Sequence, residues 1–599
     1  MTYCNTKVEN STVTGCSEAG SPCPGDLFLV KTGVNHDRNN LPLDKKQFLP
    51  RLGFAYSFDQ KTVIRGGYGI FFIPNYVSFG TNPYVDPVSS ATSNFLASND
   101  GGTSPASRLG PTVGTGDTGN GASGCALGAG GVLTCLPGTG PFQPGPVLTP
   151  VAGRNPQCPS TASSTGLAAC DISQYILLQS NFSATGYTVQ KYGYVQQWNF
   201  GIQRELPAGF FVDIAYAGSH GVHLPSFNPN INQIPDRFVT QAASQYDETC
   251  LTAAKCPAFG DNANHAVAID QVVPAAAYPF QTSTGTPLPG ALANGSLKFG
   301  QLDRPFPQYV GLNLNGQGCC GSTYNSLQAT LTRRFVGGGT MLVAYTNAKL
   351  LSNTDTLTSW LEGGVTGGVG NVQDWNNLKK ERSLSSQDVS QRLVISYVLD
   401  LPFGRGKRFL GGANGATGKL VSGWGVDGIT TFQRGFPVKI SYGAGTALSG
   451  SGFLGQSTLR PDVVPGCDKN VSGSPVSRLG GWFNTSCFQQ PGLNTPGLNG
   501  VSISGIANGW AFGDESRVDA TLRQQGINNF DFAVFKKTTI GERANIEFRT
   551  EFFNIFNHPQ FGPPNGTCCT ANNANFGVVT NTVGNAPSRL IQFGLKFAF

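Results

Sequence analysis

The chain ends Arg589-Leu590-Ile591-Gln592-Phe593-Gly594-Leu595-Lys596-Phe597-Ala598-Phe599, and the reading of this stretch decides the fold. From Ile591 the odd positions are Ile, Phe, Leu, Phe and Phe; between them stand Gln592, Gly594, Lys596 and Ala598. Side chains alternate across a strand, so one face is wholly apolar and the other small or polar. An exposed soluble edge with a bare aromatic face invites aggregation. In an outer-membrane barrel the same pattern places apolar residues against lipid and polar ones toward the lumen. The last core strand of a soluble sandwich is the alternative for this segment taken alone.

The alternation recurs upstream. Leu52, Phe54, Tyr56 and Phe58 interleave with Gly53, Ala55 and Ser57, turn at Asp59-Gln60, and return over Val63 to Phe72. Tyr194, Gln196, Trp198, Phe200 and Ile202 lead through Pro207-Ala208-Gly209 to Phe210, Val212, Ile214 and Tyr216. Leu327, Ala329 and Leu331 lead through Gly337-Gly338-Gly339 to Met341, Val343 and Tyr345. Val389, Leu393, Ile395, Tyr397, Leu399 and Leu401 share a face opposed by Ser390, Arg392, Ser396 and Asp400, and Trp424, Val426, Thr430 and Phe432 follow a basic connector. Each pair reads as a β-hairpin with one smooth face. In the hairpin around Thr539-Ile540-Gly541, Ala544, Ile546, Phe548, Thr550, Phe552 and Phe556 oppose Arg543, Asn545, Glu547, Arg549 and Glu551. Four charges on one side of a strand need a wetted surface, which a hydrated lumen supplies.

Connections alternate in length. They are short near 59, 207, 337 and 540, long over 74–190, 218–305, 351–386 and 435–525, modest over 402–418 and intermediate over 557–587. Short turns at one end and long external loops at the other is the layout of a transmembrane barrel. The predicted fold is all-β: an antiparallel transmembrane β-barrel over residues 48–599, with long extracellular loops. Eleven strands are clear; a polar segment at 1–47 holds Leu27-Phe28-Leu29-Val30, which would make twelve. The partial barrel is thus expected to have about 11–14 strands.

Composition narrows the rest. Only 12% of residues are charged while Gly reaches 80, which is all-β composition with much loop. A net charge of +6 without basic clusters among stacking aromatics gives no support to nucleic-acid binding. No run approaches 18 apolar residues, so no transmembrane helix is predicted. Met1-Thr2-Tyr3-Cys4-Asn5 has no signal-peptide character, which suggests that the chain begins inside a longer protein. Fifteen Cys fit an oxidising compartment and loop-stapling disulfides within Cys125/Cys135, Cys158/Cys170, Cys250/Cys256 and Cys467/Cys487; Cys319-Cys320 and Cys568-Cys569 are vicinal. None has the doubled C-x-x-C spacing of a zinc site, and His220, His223 and His265 read as loop histidines, so no metal or cofactor is predicted. Two G-x-G-x-x-G matches between Gly114 and Gly124 neither follow a strand nor open a helix, and read as low-complexity coincidence. With no G-x-S-x-G, H-E-x-x-H or Walker pattern, no enzyme is expected.

Several blocks together resemble the C-terminal part of a TonB-dependent outer-membrane transporter of the Oar-like β-barrel type. They are Pro50-Arg51-Leu52-Gly53-Phe54-Ala55-Tyr56, Ile64-Arg65-Gly66-Gly67-Tyr68-Gly69-Ile70-Phe71, Gln197-Trp198-Asn199-Phe200-Gly201-Ile202-Gln203-Arg204 and Tyr324-Asn325-Ser326-Leu327-Gln328. They continue in Leu401-Pro402-Phe403-Gly404-Arg405-Gly406, Trp482-Phe483-Asn484-Thr485, Asn528-Asn529-Phe530-Asp531, and Phe548 to Pro559 with its Phe556-Asn557-His558-Pro559 corner. The resemblance implies a barrel of 22 strands, a plug domain and a TonB box, whose N-terminal parts these residues do not include. It implies an outer-membrane protein of a Gram-negative cell that imports an extracellular substrate such as an oligosaccharide, peptide or metal chelate. Its partners would be membrane lipid, the TonB system through a plug and TonB box, and an assembly machinery reading Phe593, Leu595, Phe597 and Phe599. Lumen-facing Arg392, Arg543, Glu547, Arg549 and Glu551 are the polar candidates to contact plug or substrate. A passive barrel, a surface adhesin or a non-functional gene fragment is the competing reading.

Overall fold

The computed structural model describes residues 8–9, 12–13, 47–72, 125–127, 133–135, 183–187, 192–225, 230, 232–236, 304, 311–315, 318–355, 372–443, 459–489, 491, 512–541, 544–569, 574–583 and 588–599. Its main sheet is a meander of eleven strands. They are β1 (Arg51–Ser57), β2 (Thr62–Phe72), β3 (Tyr194–Leu206), β4 (Phe210–Pro225), β5 (Gly318–Arg334) and β6 (Gly339–Ser352), followed by β7 (Gln391–Asp400), β8 (Trp424–Gln433), β9 (Ile527–Ile540), β10 (Ala544–Phe553) and β11 (Leu590–Ala598). Each strand pairs antiparallel with its sequence neighbours. The short strand Ser383–Leu384 adds to β6, making a twelve-stranded sheet. β1 and β11 are its outer members and do not pair with each other, so the barrel is open among the described residues. The stretch around Leu27 lies outside the described residues.

The register keeps every apolar face on one side. Phe597 lies across from Ile546, Leu595 from Phe548 and Ile591 from Phe552. Phe552 in turn faces Phe532, Val534 faces Val426, and the series runs on through Ile395 and Val343 to Leu331. Continuing past Val212, Ile214 and Ile202, it ends on Tyr56 across from Ile64. The opposite face carries the charged and polar residues, with Glu551 across from Gln592, Glu547 from Lys596 and Gln203 from Asp213, among scattered apolar ones such as Leu342 and Ile429.

Where the apolar residues are buried decides between barrel and sandwich. Leu52 is 72% exposed and Leu595 74%, so the smooth face has no second layer over it. The buried apolar cluster instead contains Val438, Ile440, Trp482, Phe483, Phe488 and Leu522, all in connections beyond the strands. A sandwich would bury its strands' apolar faces against each other; this sheet presents them outward as a belt, which lipid must cover. No helix among the described residues is long and apolar enough to cross a membrane.

Local chemistry accounts for the tight turns. The Asp59 carboxylate accepts from the Lys61 N–H at 2.7 Å and the Thr62 hydroxyl at 3.0 Å, closing the β1–β2 turn. At the β5–β6 turn Gly338 and Gly339 hold φ of 105° and 107°, and a Cβ at Gly339 would collide with the Val398 carbonyl. The β7–β8 connector carries a short helix, Gly415–Val421. Lys536 donates to the Lys419, Leu420 and Ser422 carbonyls there, its stem running along the outer face. Arg333, also facing outward, sits 4.6 Å from both the Phe210 and Phe335 ring centres at the short-turn end. Both place cations and aromatic rings at the level where a bilayer edge would lie.

Candidate lumen and ligand-binding site

The charged face of β10 forms a linked array. The Arg549 guanidinium donates to Asp427 on β8 at 2.9 Å, to Glu551 at 3.1 Å and to Glu547 at 3.3 Å. It lies 5.6 Å from the Phe535 ring centre on the intervening strand, and Lys537 comes within 3.9 Å of Glu547. One planar cation thus ties three strands across the inner wall. Each pair is half-exposed, so each contributes at most about 1 kcal/mol. Of the polar candidates read from the sequence, Glu547, Arg549 and Glu551 are brought together here. Arg392 is exposed on β7 beside Gln433, in no ion pair among the described residues. Arg543 lies outside the described residues. Phe593, Leu595 and Phe597 occupy the outward face of β11 and Phe599 follows it, 96% exposed.

Above the sheet, the connections following β6, β8 and β10 pack into a crown whose organisation no local sequence motif announces. Three buried ion pairs staple the β8–β9 connection to the β6–β7 connection: Arg460 with Glu381 at 2.6 Å, Arg517 with Asp355 at 2.5 Å and Arg523 with Asp388 at 2.6 Å. Lys469 holds both Glu515 and Asp519 at 2.6 Å. Burial, then the charge of Asp519, pushes the Glu515 carboxyl up. Burial pushes Asp519 up as well, but Lys469 and the Leu522 and Thr521 N–H groups outweigh it and hold that carboxyl low. Short ladders, Asp462–Val463 with Phe488–Gln489 and Ser441–Tyr442 with Thr567–Cys568, knit the segments together. The Cys467–Cys487 disulfide closes the stretch between them. The Asn484 side chain accepts from the Ser486 N–H, capping the turn that seats Trp482 and Phe483 in the apolar cluster.

Cys125 and Cys135 are register partners in a two-stranded ladder, and Cys568 ends the short strand that pairs with Ser441–Tyr442. Cys158, Cys170, Cys250, Cys256, His265 and the glycine motifs between Gly114 and Gly124 lie outside the described residues. β4 runs on to Pro225, placing His220 and His223 on a strand extension; His220 Nδ1 lies 3.2 Å from the Thr323 hydroxyl. His558 Nδ1 lies 3.1 Å from the Asn528 carbonyl, and its N–H donates to Asn554, fixing the corner after β10.

A contact centred on a buried carboxyl joins residues 232–236 to the β6–β7 connection. Asp374 accepts from Gln233 and the Asn376 N–H, and the Asn376 amide donates to Asp236. Burial, then the neighbouring Asp236 charge, pushes the Asp374 carboxyl up to about 6. A raised carboxyl stabilises the packed state below its ordinary value of 3.8 and loses that contribution as pH rises through about 6. Hydrogen exchange across residues 232–236, corrected for intrinsic rates, is therefore expected to accelerate between about pH 4 and pH 7 and to level off above it. Asp374→Asn is expected to flatten that dependence, and an unchanged profile in the variant would assign the effect elsewhere.

Where the inner wall meets the crown lies a cavity of about 630 Å³. Gln433, Asp531 and Gln592 reach it from the inner faces of β8, β9 and β11, and Phe436, Gln560 and Phe561 roof it from the connections. Its size falls in the range of small-molecule sites, about 300–1,000 Å³. Sequence reading did not identify it because each strand or loop contributes single residues with no shared motif. The one available signal was the polar parity of Gln433, Asn529, Asp531 and Gln592 at the long-loop ends of their strands.

The sequence matches the outer membrane beta barrel domain family over residues 4–592. No curated protein matches it. Among solved structures, the outer membrane transporter YddB from Escherichia coli is 8% identical, with 90% of this chain and 39% of that chain covered and a TM-score of 0.33. FpvA of P. aeruginosa, in complexes with heterologous pyoverdines, is 7% identical, with 93% and 33% covered and a TM-score of 0.30. FpvAI in its complex with pyocin S2 is 6% identical, with 92% and 33% covered and a TM-score of 0.30. The chain spans 39% or less of the length of these structures.

Proposed function

The chain belongs to the outer membrane beta barrel domain family, and from that premise we propose that it forms wall and loop crown of a TonB-dependent transporter importing a large nutrient across the outer membrane. The observation that carries the proposal is the cavity set between an ordered external crown and a polar inner wall. A purely structural barrel needs no roofed site at its mouth. Import of this kind involves binding and a transmitted force, with no covalent step. Coupling requires a plug and TonB-box segment, and the Arg549 array is a surface such a plug would rest on. The strand bearing Phe593, Leu595, Phe597 and Phe599 is the segment we assign to recognition by the assembly machinery.

The test uses cells expressing the full-length protein and a deletion strain, supplied with radiolabelled candidate nutrients. Uptake is expected to require the protein and to collapse when a protonophore dissipates the inner-membrane proton gradient. Uptake that survives the protonophore would identify a passive barrel; surface attachment without uptake would identify an adhesin.

A further inference from the structure

Resting on the transport reading, we infer that the cavity beneath the crown is a subsite for a neutral oligosaccharide. The amides of Gln433 and Gln592 reach it from the inner wall without a side-chain hydrogen bond among the described residues. Gln560 lines the cavity from the connection after β10. An amide offers an acceptor oxygen and two donors, so each matches a sugar hydroxyl, which is donor and acceptor at once. Phe436 and Phe561 supply the apolar surface on which the C–H faces of a pyranose ring lie.

Charge narrows the class further. Among the described residues the lining contains no cation, and Asp531 is its one ionisable group. Both Asp531 oxygens are occupied: Oδ1 accepts from the Asn554 N–H and Oδ2 from the Asn529 amide, each at 2.9 Å. An anionic chelate or an acidic saccharide would enter without a counter-charge, and a free peptide would bring two charged termini; either is costly to desolvate unpaired. Three cations stand next to lining residues but outside the lining: Arg392 across from Gln433, Arg434 after it, and Arg523, which donates to the Gly435 carbonyl and is paired with Asp388.

The experiment immobilises the full-length detergent-solubilised protein and exposes it to three pools: neutral oligosaccharides from starch, xylan and mannan digests, acidic oligosaccharides from a pectate digest, and a tryptic peptide mixture. Retained species are identified by mass spectrometry. Neutral oligosaccharides are expected to be retained, and Gln433→Leu and Gln592→Leu are each expected to lower retention about tenfold with gel migration of the folded form unchanged. Retention of acidic oligosaccharides or peptides in preference, loss on Arg392→Gln instead of Gln433→Leu, or no neutral retention would each overturn the assignment. Import is scored separately in cells. Binding without protonophore-sensitive uptake sinks the transport reading and leaves the subsite standing. Uptake of a charged nutrient, unaffected by Gln433→Leu, sinks the subsite and leaves transport standing.

Discussion

Replacing Arg517 with methionine is expected to destabilise the crown by about 3–5 kcal/mol, because it leaves a buried carboxylate without its counter-ion. Arg517 and Asp355 are both fully buried. The guanidinium also donates to the Ser352 carbonyl and hydroxyl and to the Glu381 carbonyl, so one side chain joins the end of β6, the β6–β7 connection and the β8–β9 connection. The stem of methionine fills much of the same volume, which isolates the charge effect from that of a cavity. The measurement is protease susceptibility and hydrogen exchange over residues 372–390 and 459–523 in the folded protein, with the sheet as internal reference. Protection is expected to fall in these segments and to hold in β7 to β10. Adding Asp355→Leu should restore much of the loss, since an apolar pair can replace a buried ion pair at little cost. If the double variant is no better than Arg517→Met alone, the hydrogen bonds to Ser352 and Glu381 outweigh the ion pair.

Arg517 and Asp355 also show where sequence reading stops. Their partnership spans 162 positions, and nothing local to Asp514-Glu515-Ser516-Arg517-Val518-Asp519 says which carboxylate the arginine meets. The sheet was legible because its information is local. Alternation from Ala544 to Phe552, the Asp59 turn and the Gly337-Gly338-Gly339 turn each specify pairing within a few residues, and all eleven strands read from the pattern are in the meander. The alternation of short and long connections was equally readable, since it needs only strand positions. The crown was not, because segments counted as loops turned out to bury Trp482, Phe483 and Ile440 in a core of their own. A clue was present: in a chain with 12% charged residues, Lys379 to Arg382 and Asp514 to Asp519 concentrate charge in connections, where ion pairs need partners. The inner wall was read in kind, as a charged face needing water, while its cross-strand link from Arg549 to Asp427 required the register.

A charged residue placed at Ile395 should cost about 2–4 kcal/mol, the penalty of an arginine on the lipid face at mid-membrane, whereas the same residue at Ser396 should cost close to nothing. The two positions are adjacent on β7 and point to opposite faces. Ile395 lies between Val343 and Thr430 on the apolar side, near the middle of the strand. Ser396 lies between Leu342 and Ile429 on the inner side, where Ile429 is itself 50% exposed. Arginine at 396 therefore reaches water, and at 395 it meets hydrocarbon. The measurement is the urea midpoint of each variant refolded into lipid vesicles, with heat-modifiable gel migration as the folding readout. Ile395→Arg is expected to lower the midpoint or abolish the folded band; Ser396→Arg is expected to keep both near wild type. A two-layer soluble sheet with its core on the inner side would reverse the order, because Ser396 would then face packed side chains and Ile395 would face solvent. The pair of variants therefore tests which face of this sheet meets lipid, the assignment on which both the lumen array and the cavity beneath the crown depend.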